Sequence, residues 1–207
     1  MDASQDCAHC AGGMGLTKPL YSDDDFLIVC DVHPLTEGHI LIIPKEHIAC
    51  MGALDDQQFE QYTKVYEKIC RFIKEEYGSF GAFEHGITGQ TVFHAHTHVL
   101  PFAHNIDEVI PEKEKRIEIQ DLKTVREEYW TEGKYLFLEL DDKRWSVDPE
   151  IGFPRFFRDR FAQALGVPER GDWKNASDDD ALMRAFSHDT SALKQRWNQV
   201  FLMIMDQ

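Results

Sequence analysis

Thr91-Val92-Phe93-His94-Ala95-His96-Thr97-His98-Val99-Leu100-Pro101 is the stretch from which the fold is read. Three histidines alternate with small or apolar residues, and Val92, Phe93, Thr97 and Val99 favour extended backbone, which Pro101 ends. On a strand, alternate side chains share a face, so His94, His96 and His98 would stand in a row about 6.6 Å apart. Ala95, Thr97 and Val99 would then face a core. Unpaired imidazoles are costly to bury, so a row of them calls for partners or for chemistry. A solvent-facing histidine strand is the plain alternative.

Outward from this stretch, Gly89-Gln90-Thr91 precedes it as a turn. Phe26-Leu27-Ile28-Val29-Cys30 is a continuous β-prone run that leads into Asp31-Val32-His33-Pro34. Gly38-His39-Ile40-Leu41-Ile42-Ile43-Pro44-Lys45-Glu46-His47-Ile48 reads as turn, strand and turn. Near the start, Cys7-Ala8-His9-Cys10 stands before Gly12-Gly13, a spacing that lets two thiolates converge on one ion. A redox pair, or a tail with incidental cysteines, is the other reading of that spacing. Residues 55–77 carry apolar residues at three- and four-residue intervals from Phe59 to Ile73, which predicts a helix with one buried stripe.

Together these stretches resemble the histidine-triad (HIT) nucleotide-binding family over about half the chain, residues 5–105. The resemblance implies an α+β, HIT-like fold: an antiparallel sheet of about five strands with a long helix packed on it. It implies that His96 attacks the α-phosphate of a purine nucleotide conjugate and forms a covalent nucleotidyl-histidine. A neutral imidazole suits that task because it brings no charge repulsion to the phosphate. His98 would bond a phosphate oxygen, Gln90 the scissile bridging atom and Thr91 a non-bridging oxygen. Asp31 would accept from the ribose hydroxyls. Phe26, Ile28 and Val32 are candidates for the base pocket, with plain core as their alternative role. The zinc-containing branch of the family further implies that Cys7, Cys10, His47 and His94 close a tetrahedral structural zinc site. A catalytic zinc held by alternate triad histidines is the competing reading.

The substrate implied is an adenosine-type small molecule: a phosphoramidate, an adenylate or a dinucleoside polyphosphate. His98, where transferase branches have Gln, favours hydrolysis. A nucleotidyltransferase or phosphorylase of dinucleoside polyphosphates, or a non-catalytic nucleotide-binding protein, is the alternative. The chain departs from the family at Glu84-His85, where small members have Asn. A carboxylate beside phosphate is unfavourable unless protonated or paired, so Glu84 is expected to pair with His85 or His98. Small members also pair through the long helix and a strand, so a homodimer is expected, with the tail reinforcing or blocking it.

Composition narrows the rest. At 207 residues and 43% hydrophobic content, the chain has ample material for a core. A net charge of −15 repels phosphate backbones and disfavours nucleic-acid binding. No apolar run reaches membrane-spanning length, and Met1 to Asp6 has no signal-peptide character. Five cysteines, an odd number, read as a reducing compartment, with cytoplasm the expectation. The organisation expected is a HIT domain over 1–110 and an α/β extension over 111–207. That extension would hold a hairpin turning at Asp141-Asp142, a helix over 154–166 and a last helix over 178–205. The 154–166 helix carries Arg155, Arg158 and Arg160, which would approach phosphates or a partner, or simply sit on a solvated face.

Overall fold

The computed structural model describes residues 7–205, with side chains through residue 200. The Met1–Asp6 segment, and the Phe201 side chain expected on the last helix, lie outside the described residues. The strands are β1 (Pro19–Ser22), β2 (Phe26–Cys30), β3 (Ile40–Pro44), β4 (Gly81–Gly86), β5 (Thr97–Leu100), β6 (Arg116–Ile119), β7 (Tyr135–Leu140) and β8 (Lys143–Val147). They form one antiparallel sheet in the order β1-β2-β3-β5-β4-β7-β8-β6. The α+β class stands, but the sheet has eight strands instead of about five. The last three come from beyond residue 111 and join through β7, which pairs with β4 over six residues, from Gly81 opposite Leu140 to Gly86 opposite Tyr135.

The helices are α1 (Asp56–Tyr77), α2 (Ile106–Val109), α3 (Lys123–Glu132), α4 (Phe156–Ala164) and α5 (Asp180–Met205). Helix α1 starts at a reciprocal cap between Asp55 and Gln58 and stops at Gly78, whose φ of 91° suits glycine. Its stripe of Phe59, Tyr62, Val65, Tyr66, Ile69, Phe72 and Ile73 is buried on one face of the sheet. Strand parity supplies the facing residues: Phe26, Ile28, Cys30, Ile40, Ile42, Ala82 and Val99. Helix α5 packs on the same layer, with Trp197 edge-on to Phe72 at 4.9 Å.

The opposite parity makes the second core. Phe83, Leu100, Leu136 and Leu138 meet Phe157 and Phe161 of α4. The helix expected over 154–166 begins only at Phe156, because Arg155 is left-handed (φ 68°) and serves as its N-cap. Among the described residues, no helix is long and apolar enough to cross a membrane.

Parity also settles Glu84. It points to the α1 face, away from His85 and His98, and the pairing expected with those histidines does not form. Its oxygens accept from Met51 N at 2.7 Å and Tyr135 Oη at 2.5 Å. Burial pushes its carboxyl up to about 7, against these two bonds. Folding therefore favours the protonated acid. That contribution is complete below the unfolded value of 4.5 and is lost as pH rises through about 7. We expect the denaturant-unfolding free energy of wild type to fall between about pH 5 and pH 8 by an amount Glu84→Gln does not share, on the order of 3 kcal/mol. Identical pH slopes for the two proteins would contradict this.

Candidate nucleotide-conjugate site

One cleft of about 710 Å³, its open mouth included, lies on the α4 face of the sheet. Asp31, Val32, His33, Thr91, His96 and His98 line it from the first half of the chain, and Arg155, Arg158 and Trp173 from the second. The extension therefore forms one wall. Strand β5 begins only at Thr97, so the three histidines do not form a row on one strand as expected. His94 and His96 precede the strand, and His94 turns to a different set of partners.

A neutral imidazole has one donor and one acceptor, and hydrogen-bond partners reveal which nitrogen is which. His96 Nδ1 donates to the carbonyl of His94 at 2.7 Å, which leaves Nε2 as a bare lone pair. The Leu35 amide donates to His39 Nδ1 at 3.1 Å, so His39 Nε2 carries the proton. That proton faces His98 Nδ1 at 2.9 Å, and His98 Nε2 must then be an N–H. Backbone groups thus set one acceptor and one donor, with ring centroids 5.0 Å apart. Burial holds all three imidazoles neutral: it lowers His96 and His39 to about 4 each, and His98 well below its ordinary value.

Asp31 is 5% exposed. Its Oδ1 accepts from the His33 amide at 2.9 Å, and its Oδ2 from Arg158 Nη1 at 2.6 Å. Burial alone would raise its carboxyl, but the Arg158 guanidinium, then His39, hold it down at about 2. Arg158 also donates to the carbonyls of His33 at 2.7 Å and Arg170 at 3.3 Å. Trp173 stacks on His33 with centroids 5.4 Å apart and planes 26° apart. A solvated face for all three arginines is therefore wrong: α4 turns Arg158 inward because its neighbours Phe157 and Phe161 are the buried side of that helix.

On the far side of His96, ligand atoms of Cys7, Cys10, His47 and His94 all lie within 4.8 Å of one another. Cys10 Sγ is 3.1 Å from His47 Nδ1 and 3.5 Å from His94 Nδ1, and Cys7 Sγ is 3.6 Å from the same His94 atom. Zinc bonded to sulfur and nitrogen at usual lengths would set that tetrahedral edge at about 3.6 Å. His94 Nε2 donates to the Pro44 carbonyl at 2.8 Å, which leaves Nδ1 free to ligate. The donor set fits a four-coordinate ion with no open position. Asp31, His39 and His98 also cluster, but Arg158 already bonds that carboxylate, and a cation there would be repelled.

Of the residues expected at the site, His96, His98, Asp31, Thr91 and Val32 line the cleft. Phe26 and Ile28 do not: their parity sends them into the α1 core, where both are fully buried. Gln90 does not line it either, because its Nε2 donates to the Ala49 carbonyl at 2.6 Å. Three wall residues, His9, His85 and Trp173, had no role expected at the cleft, whereas Arg155 and Arg158 come from the helix whose arginines were expected at phosphates or a partner. His9, between the two cysteines, sits 4.7 Å from the His96 ring, centroid to centroid. His85 follows from the same alternation that buries Glu84 on the other face. Trp173 depends on a contact across the chain, its stacking on His33, that no local pattern encodes.

The HIT domain profile matches residues 16–105. "Protein hit" of Bacillus subtilis is 33% identical over 108 residues, covering 49% of this chain and 74% of that protein. An adenosine 5'-monophosphoramidase of Schizosaccharomyces pombe is 33% identical over 75 residues, covering 36% of this chain and 56% of that one. A zinc-bound histidine triad family protein from Mycobacterium smegmatis aligns at 29% identity and a TM-score of 0.35, over 42% of this chain and 67% of that one. Across several curated relatives the chain spans 53% to 74% of their own length.

The Arg158–Asp31 pair yields a stability prediction. Breaking a buried pair by removing one partner leaves an uncompensated charge, so Arg158→Met is expected to cost about 3 kcal/mol in urea unfolding. Adding Asp31→Asn to that variant should recover most of the loss. A double variant as unstable as the sum of the two singles would show that the pair does not act as a unit.

Proposed function

We propose a function that proceeds from one premise: this chain belongs to the HIT domain family. The reading is a nucleotide phosphohydrolase acting at the α-phosphate of an adenosine-type conjugate through a nucleotidyl-histidine. The observation that carries it is the bare Nε2 of His96 in a cleft, with Nδ1 bound to a main-chain carbonyl. Nε2 attacks phosphorus, and the bond from phosphorus to the leaving group breaks with its electron pair going to the leaving group, which, where it is an amine, takes its proton from water. Water then cleaves the phosphorus–nitrogen bond and frees the nucleotide and His96. His98 Nε2–H donates to a phosphate oxygen while negative charge builds there. Thr91 stands at the same wall for a non-bridging oxygen. Asp31, kept ionised by Arg158, is the candidate for the ribose hydroxyls.

Zinc belongs to this proposal as a structural ion on Cys7, Cys10, His47 and His94. When bound, it would fasten the N-terminal knuckle to the loop that carries His96. None of the five cysteines is in a disulfide, and the cytoplasm is proposed as the compartment in which they stay reduced.

The homodimer implied by the resemblance would use the long helix and a strand edge. Here β7 takes the free edge of β4, and α5 and α3 contact α1, with Trp197 on Phe72 and Arg126 bonded to Asp56. We therefore propose that the chain works as a single copy. Light scattering in solution is expected to give about the chain mass of 24.0 kDa. A stable species of twice that mass would refute the single-copy reading.

Whichever of adenosine 5'-phosphoramidate and diadenosine tetraphosphate the wild type turns over, His96→Ala should lower that turnover at least about 1,000-fold, with one zinc per chain retained. Turnover within tenfold of wild type would refute the nucleophile. Loss of the zinc from this variant would favour a catalytic ion held by the triad.

A further inference from the structure

Five histidines (His9, His33, His85, His96 and His98) line the cleft beside Thr91, and the reaction above uses only two of them. His85 has a fixed tautomer of its own. The amide of Phe157, in the first turn of α4, donates to His85 Nε2 at 3.1 Å. The ring is therefore neutral and its proton is on Nδ1. His85 lines the cleft, and that N–H bonds no group among the described residues. Arg155 is its neighbour across the turn. A side chain at Gly89 (φ +81°) would strike Phe153 O at 2.5 Å and approach the His85 ring at 3.2 Å. The Arg155 amide donates to the Gly89 carbonyl at 3.0 Å. Held there, Arg155 is in the left-handed region, a conformation disfavoured for any residue with a Cβ. Among the described residues, its guanidinium pairs with Asp159 at 3.3 Å and Asp172 at 3.4 Å, both long contacts.

The strand order β2-β3-β5-β4 puts His85, on β4, across the His96–His98 segment from Asp31, which follows β2. Val32, His33 and Trp173 offer flat and apolar surface beside Asp31, which suits a nucleoside. His85, Gly89 and Arg155 offer a neutral donor and a cation past the reacting imidazole, which suits oxyanions. We infer that His85 and Arg155 form a subsite for a second phosphate on the leaving-group side, so that the substrate class is a nucleotide joined through a phosphoanhydride and not to a neutral amine. This inference rests on the nucleotide reading above and names its substrate class. In the reaction, the second phosphate leaves carrying the bridging oxygen and its negative charge. Arg155 meets that charge, and His85 Nδ1–H holds an oxygen of the same group.

The test is binding to the full chain, with probes that His96 cannot cleave: AMP, and the α,β-methylene analogue of ADP. By calorimetry the analogue is expected to bind about tenfold more tightly than AMP. Arg155→Gln should shrink that ratio to about twofold or less, whereas Arg184→Gln, an exposed charge control, should keep it. Binding of both probes without preference in wild type, or a ratio untouched by Arg155→Gln, overturns the subsite and leaves the nucleotide reading standing. Binding of neither probe overturns both. Nitrogen-15 spectra of the histidines give a second readout: His85 should carry its proton on Nδ1, and that resonance should move when the analogue is added. A proton on Nε2 overturns the role given to His85.

Discussion

The structure depends on main-chain groups holding neutral imidazoles in single tautomers. Ring nitrogens have no fixed identity of their own, and a buried imidazole without a fixed partner would sample both forms. Here the His94 carbonyl, the Leu35 amide by way of His39, the Phe157 amide and the Pro44 carbonyl each settle one ring. The outcome is alternating chemistry in a small space: a bare nitrogen on His96, an N–H on His98, an N–H on His85 and a metal-facing nitrogen on His94. Burial makes the scheme self-consistent. Desolvation lowers each of these imidazoles, so none is protonated near neutrality and the donors and acceptors do not change places.

The second half of the chain is part of this device. Its strand β7 closes the edge of β4, and Tyr135 reaches through to bond Glu84 on the α1 face. Its helix α4 covers the other face, where Phe157 fixes His85 and Arg158 pairs with Asp31. Arg170 continues the wall, donating to the carbonyls of Pro34 and Leu35 and pairing with Asp189 of α5 at 2.6 Å. One segment thus grips the sheet on both faces and at its edge. A loop that touches a site on its own can drift, whereas a wall tied down at three places holds its guanidiniums at fixed positions.

Local pattern carried much of this information. The α1 stripe, the run through Phe26 to Cys30 and the hairpin turn at Asp141-Asp142 each depend on neighbours a few residues away and are visible in the sequence, whereas Asp55 and Asp56 are equally apt caps until the helix start is seen. His96 and His98 were legible for the same reason. What was not legible came from two sources. The first is where an element begins: strand β5 starting at Thr97 instead of earlier frees His94 to reach the cysteines, and no propensity distinguishes Phe93 from Val99. The second is which face of a two-sided sheet meets which helix. Phe26 and Ile28 look as suitable for a base pocket as for a core until the α1 face is known. Arg158 looks like a surface arginine until α4 is placed over Asp31, 127 residues away in the chain.

The acidic composition raises a physical question, since an anionic ligand must enter a chain of net charge −15. Distance and screening answer it. Charges on the outer surface act across water, where the screening length is about 10 Å at 0.1 M salt. Inside the cleft the charged lining is one carboxylate, Asp31, against two guanidiniums, Arg155 and Arg158. Arg158 and Asp31 are both about 95% buried, 5% exposed each, and largely cancel one another. That leaves Arg155, held by Asp159 and Asp172 at 3.3 and 3.4 Å, as the cation of the lining that an entering phosphate meets, among imidazoles that are neutral. A nucleophile without charge adds no repulsion to an entering phosphate, and half-buried Arg155 supplies a cation at the lining. The same arrangement accounts for the use of histidine over lysine or a carboxylate at these positions: only a neutral ring can supply a lone pair, an N–H or a metal bond while adding no charge to be desolvated.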